Sequence, residues 1–163
     1  MRFAKITKLR TAAFLTAAIL LFWFLFDLTG LSLGSAKIVV SAFTDEPIDV
    51  LWFALACAAL LVFAFSEKIG RWTLPAFVLT WAGIQYSMYF GGNIKGYNDF
   101  FARDGTCRIF PASEAFLIKD AYHIVLDLLI LAAATASVAF LAVSLRKERG
   151  GKQPAAENIS RHN

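Results

Sequence analysis

The chain reads as an all-α integral membrane protein, a four-helix bundle with both termini in the cytoplasm. Two observations predict this. Four apolar runs occupy residues 12–33, 48–66, 72–92 and 121–145, each close to the ~20 residues a helix needs to cross a hydrocarbon core of about 30 Å. The basic residues are also distributed unevenly. Arg2, Lys5, Lys8 and Arg10 precede the first run, Lys68 and Arg71 lie between the second and third, and Arg146, Lys147, Arg149, Lys152 and Arg161 follow the fourth. The other two connections mix Lys37, Lys95, Arg103, Arg108 and Lys119 with seven acids. Positive charge gathers on the cytoplasmic side of membrane proteins, so the amino terminus, the segment 66–71 and the tail are expected there. With 163 residues there is no room for a soluble domain of ordinary size, and one membrane domain over 1–145 is expected.

The first helix is expected over 12–33. Its start also fits a secretory signal, with a basic region, an apolar stretch and then Gly34, Ser35 and Ala36. The stretch is long for a signal and Asp27 interrupts its end, so a retained anchor is the reading adopted. Residues 35–49 form an outer connection. Within it the apolar residues from Ile38 to Phe43 read either as a short interfacial piece or as an ordinary loop, ended by the Thr44, Asp45, Glu46 and Pro47 break. The second helix is expected over 48–66. Only residues 66–71 join it to the third, which forces the two to be antiparallel neighbours.

The third helix is expected over 72–92, with Trp72 at its inner end and Tyr86 and Tyr89 as interfacial anchors at its outer end. Pro75 would fall in the first turn, where a missing backbone donor costs little. Gly91, Gly92 and Asn93 end the helix, and Asn98, Asp99, Arg103, Asp104 and Gly105 read as turn chemistry. Pro111, Ala112, Ser113 and Glu114 have the composition of a helix start. The fourth helix is therefore expected over 112–145, beginning outside the bilayer. Its inner half repeats small residues (Ala132, Ala133, Ala134, Ser137) that allow close approach of another helix. The tail 146–163 reads as disordered. Cys57 and Cys107, the only cysteines, fall at different depths and are expected as unpaired thiols.

Ionisable residues inside spans are costly and are functional candidates by default. Asp27 in helix one and Asp127 in helix four should both lie roughly 10 Å below the outer surface at ~1.5 Å per residue. Gln85 in helix three and His123 in helix four fall at a similar level, so three helices contribute to one buried polar layer. Asp120, His123 and Asp127 share one helical face. The functional reading of that face is a proton-handling, quinone-facing or metal site, because an imidazole between carboxylates changes charge near neutral pH. The structural reading is that Asp127 accepts a hydrogen bond from His123 or Tyr122, while Asp27 is held protonated or paired with Gln85. One imidazole and no nearby thiol make no zinc signature, and no metal site is assigned. No phosphate loop, nucleophile elbow or zinc-protease motif occurs, so no catalytic residue is assigned. The scattered tail charges suit anionic headgroups better than nucleic acid.

The segment from Phe110 to Asp120, an apolar stretch ending in Lys119 and Asp120 at the entrance of the last helix, resembles the DoxX-like inner-membrane proteins. The turn of Gly70, Arg71 and Trp72 and the four-helix plan with termini inside are similar too. The resemblance implies a small protein of the bacterial inner membrane, linked to redox or envelope-stress physiology, with a quinone as the cofactor it would suggest. It carries over Lys119 and Asp120 as positions, and nothing at Asp27, His123 or Asp127. The alternative is a structural or assembly subunit of a larger membrane complex, its small-residue face meeting another membrane protein or a second copy.

Overall fold

A computed structural model describes residues 2–43, 46–87, 89–90, 93–102, 105–111, 113 and 115–159, with side chains between residues 6 and 149. In chain order the elements are α1 (Arg2–Thr29), β1 (Leu31–Leu33), β2 (Ala36–Val39), α2 (Pro47–Phe65), α3 (Glu67–Ser87), α4 (Ile94–Ala102) and α5 (Ala121–Ile159). Three helical stretches are long and apolar enough to cross a membrane: Ile6–Thr29, Pro47–Phe65 and Ala121–Arg149. The four long helices close a ring, α1 packing on α2 and α5, and α3 packing on the same two. Large apolar side chains on their outward faces, among them Phe22, Leu55, Phe65, Leu79 and Leu128, stay exposed. A continuous belt of this kind is what hydrocarbon, rather than water, tolerates.

The helix ends differ from expectation, each for a local reason. α1 stops at Thr29, not at residue 33, because Gly30 takes φ +77° and closes the helix with its N–H on the Phe26 carbonyl at 2.8 Å. The chain then makes an antiparallel hairpin in which Leu33 faces Ala36. Gly34 at φ +61° sits in its two-residue turn, where a left-handed residue matches strand twist. The segment expected as an interfacial piece or loop is thus partly strand, and Val39 is buried in the core.

α2 lies within a residue of its expected span, but the turn after it is shorter than 66–71. Ser66 alone, extended at φ −131°, separates α2 from α3. Lys68 and Arg71 are therefore in the first turns of α3, and Pro75 lies inside that helix rather than at its start. The two helices meet closely at Gly70, where a Cβ would collide with the backbone of Phe63. The Arg10 guanidinium donates to the Ala64 and Phe63 carbonyls at 2.9 and 3.3 Å, satisfying acceptors that the end of α2 leaves open.

α3 ends at Ser87; Gly91 and Gly92, expected to end it, lie outside the described residues, as do Arg103 and Asp104. Asn98 and Asp99 are helical rather than turn residues, because Asn93 accepts the Gly96 N–H at 3.1 Å and starts α4. The last helix begins at Ala121, not at 112. Ser113 instead makes a local turn, its hydroxyl accepting the N–H groups of Ala115 and Phe116 at 3.2 Å each. Asp120 is the residue that caps α5, its carboxylate accepting the His123 N–H at 2.9 Å. The helical backbone continues to Ile159 through the segment expected to be a disordered tail. An ion pair of 2.6 Å between Arg71 and Glu148 ties it to the start of α3.

These contacts put the beginning of α1, the α2–α3 break and the far half of α5 at one end of the bundle. The hairpin, α4 and the start of α5 form the other. Between them Ala133, Ala134 and Ser137 of the small-residue face of α5 are buried within the chain. Trp23 and Tyr122 rivet α1 to α5: their rings stack at 5.5 Å, and the Trp23 indole donates to the Tyr122 carbonyl at 3.2 Å. Cys57 and Cys107 are both free thiols.

Candidate functional site

The hairpin end holds an ordered set of buried polar groups, built by three devices. Asn98 of α4 organises the loop that follows: its amide donates to the Ser113 and Phe116 carbonyls at 2.7 and 2.9 Å, and its oxygen accepts the Ile118 N–H at 2.7 Å. The Cys107 N–H donates to the Lys37 carbonyl at 2.7 Å, and the Ala121 N–H to the Cys107 carbonyl at 2.8 Å, so this loop is stitched to the hairpin and to α5. The Arg108 guanidinium completes the loop on the Asn98 carbonyl at 2.7 Å.

Lys119 and Asp120, held by that loop, are only 2 % and 3 % exposed and point to different partners. The Lys119 ammonium donates to both oxygens of Asp127, at 3.0 and 3.1 Å, and lies 4.7 Å from the centre of the Tyr89 ring. The Tyr89 hydroxyl donates to the same carboxylate at 2.9 Å. Burial pushes the Lys119 ammonium below its ordinary value, against the opposing pull of Asp127 and Asp120. Asp120 pairs instead with the His123 ring, Nδ1 to Oδ1 at 2.7 Å, and accepts the Thr106 hydroxyl at 3.1 Å. The His123 ring also meets Phe101 edge-on at 4.7 Å.

Asp27, Gln85, Asp120 and His123 line a cavity of about 440 Å³ that opens at this end of the bundle. Asp127 does not; its carboxylate is consumed by Lys119 and Tyr89 on the flank of α5 that faces the end of α3. The expected bond from His123 or Tyr122 to Asp127 is replaced by His123 to Asp120 and by the Tyr122 hydroxyl on the Trp23 carbonyl at 3.5 Å. Gln85 and Asp27 are 8 % and 9 % exposed, and neither side chain has a hydrogen-bond partner among the described residues.

Several lining residues were not singled out from the sequence. Glu46 and Asp49, at the start of α2, bring two further carboxylates to the cavity; in the sequence they were indistinguishable from solvated loop acids. Phe24, Trp52 and Trp81 supply an aromatic wall, with Phe24 and Trp81 in edge contact at 4.8 Å. The Trp52 indole N–H is buried without an acceptor among the described residues. Among the described residues no three His, Cys, Asp or Glu side chains gather closely enough to hold one metal ion. No family model, curated protein or solved structure matches the chain.

Proposed function

We propose that this chain is a small multi-pass protein of the bacterial inner membrane that holds a small ligand in a pocket open to the outer face, an accessory of DoxX-like kind rather than an enzyme. The reading takes α1, α2, α3 and α5 as four spans with both termini in the cytoplasm. Its support is the charge distribution: Lys8, Arg10, Lys68, Arg71, Arg146, Lys147 and Arg149 all belong to the end of the bundle opposite the pocket. The observation that carries the binding role is the pair of unpartnered polar side chains, Asp27 and Gln85, facing a cavity of about 440 Å³. Buried polar groups are almost always hydrogen-bonded, and a cavity of this size is within the range that small ligands fill. Lys119 and Asp120, the positions that the resemblance to DoxX-like proteins would carry over, support the same reading as a clasp beside the pocket. The redox or envelope-stress role and its quinone belong to that resemblance. The assembly-subunit alternative rests on the small-residue face of α5, of which Ala133, Ala134 and Ser137 are buried within the chain and Ala132 is exposed.

Native mass spectrometry of the protein gently extracted from its own membrane tests the reading. A small molecule is expected to stay bound to wild type and to be absent from Ala42→Trp, which puts an indole into the cavity wall. A stoichiometric protein partner with no small molecule would favour the assembly subunit instead.

A further inference from the structure

The ligand's chemistry can be narrowed, on the binding reading above. Among the described residues the cavity is lined by four carboxylates, Asp27, Glu46, Asp49 and Asp120, and by no Lys or Arg. An anionic ligand would therefore meet mostly like charge, the His123 ring being the basic group among the described lining residues and already held by Asp120. The four acids come from different places: α1, the approach to α2, the first turn of α2 and the cap of α5. They do not converge on one point, since no three ligand-type side chains among the described residues could share a metal ion. Negative charge spread along a cavity suits a cation whose own charges are spread in the same way. Between the acids stands an aromatic wall of Phe24, Trp52 and Trp81, a surface that accepts methylene groups and attracts ammonium groups through the ring faces. Independently of the acids, Gln85 turns an unpartnered amide into the same space while 8 % exposed, and its oxygen is an acceptor for an N–H donor.

We infer that the cavity binds a linear polyamine, with ammonium groups on the carboxylates of Asp27, Asp49 and Asp120 and an alkyl chain along Phe24, Trp52 and Trp81. Asp27 is the deepest anchor and Glu46 and Asp49 guard the mouth. A chain of methylenes joining two or three amines uses both the separated charges and the apolar wall; a compact inorganic cation would use neither well. The His123 ring remains on Asp120 and steers that carboxylate toward the cavity.

The test uses the full-length protein in nanodiscs of zwitterionic phosphatidylcholine, so that spermidine is not drawn to the lipid. Calorimetric titration with spermidine, followed in parallel by tryptophan fluorescence, should show saturable binding at one per chain, and 1,8-octanediol of similar length should not bind. Asp27→Asn and Asp49→Asn should each raise Kd by about tenfold or more, as expected when one partner of a desolvated charge pair is removed. If Asp27→Asn does not fold, Asp49→Asn at the mouth carries the same comparison, with thermal unfolding checked against wild type. Absence of spermidine binding, or binding unchanged by the substitutions, overturns the inference. The two readings fail separately: a neutral molecule retained in native mass spectrometry without spermidine binding sinks the polyamine and leaves the pocket, whereas no retained molecule and no binding sinks both.

Discussion

Removing the Lys119 ammonium should destabilise the protein far more than removing the whole ion pair. Lys119→Met keeps most of the side-chain length but leaves the Asp127 carboxylate, whose side chain is 9 % exposed, with the Tyr89 hydroxyl as its remaining side-chain donor. At 3.0 Å the pair attracts by about 5 kcal/mol at an effective dielectric constant of about 20, most of which was spent in drying the two groups. What the variant exposes is the uncompensated charge, and breaking a buried pair from one side costs about 3–5 kcal/mol. The lost contact between the ammonium and the Tyr89 ring adds about 0.5–2 kcal/mol. For a chain of this length 3 kcal/mol corresponds to a fall of roughly 6–12 °C in Tm. Lys119→Met with Asp127→Leu removes both charges and should recover at least half of the loss. The assay is a double-mutant cycle on thermal unfolding in a mild detergent, followed by circular dichroism. If Lys119→Met melts within a degree or two of wild type, or if the double variant loses the sum of the two single losses, the clasp is not a coupled buried pair.

Three further outcomes are expected. Gly70→Ala should lower stability by about 2 kcal/mol, because overpacking against the Phe63 backbone outweighs the helix propensity gained; the same unfolding assay reads it. Asn98→Ala removes three hydrogen bonds to the loop before α5, so the amides of residues 115–118 should exchange with deuterium at least tenfold faster while those of α2 stay unchanged. Cys107 is exposed and Cys57 lies within a membrane-type helix; a membrane-impermeant maleimide added outside intact cells should label Cys107, and labelling only after lysis would invert the proposed topology.

Much of the frame was legible in the sequence because lipid imposes a simple rule: a buried backbone must be helical and its outward side chains apolar. α2 is the clearest case, begun by Pro47 and apolar without interruption from Val50 to Phe65. The ends of the other helices were less legible, since they are decided by single residues whose effect depends on contacts. Gly30 breaks α1 only because the hairpin is there to receive the chain. Asp120 rather than Ser113 starts α5 because Asn98, from another helix, takes the Phe116 carbonyl and the Ile118 N–H. Lys68 and Arg71 have the composition of a turn, since charge between two apolar runs marks a boundary. In fact Arg71 is helical and reaches Glu148, which lay in the segment expected to be a tail.

The polar layer divides in a way that residue counting could not resolve. Depth along the helices brings Asp27, Gln85, His123 and Asp127 to one level, and depth follows from ~1.5 Å per residue. Azimuth is the missing coordinate. His123 and Asp127 are four residues apart, about 40° around the helix, and that offset is enough to turn one into the cavity and the other toward Tyr86 and Tyr89 at the end of α3. The consequence is a division of labour. Asp127 has a resident counterion in Lys119, so its charge is already balanced within the chain. Asp27 and Asp49 line the cavity with no Lys or Arg beside them among the described residues, and the His123 ring there is held by Asp120. With Lys119 on the carboxylate outside the pocket and, among the described residues, no lysine on those inside, a cationic ligand is what would balance Asp27 and Asp49.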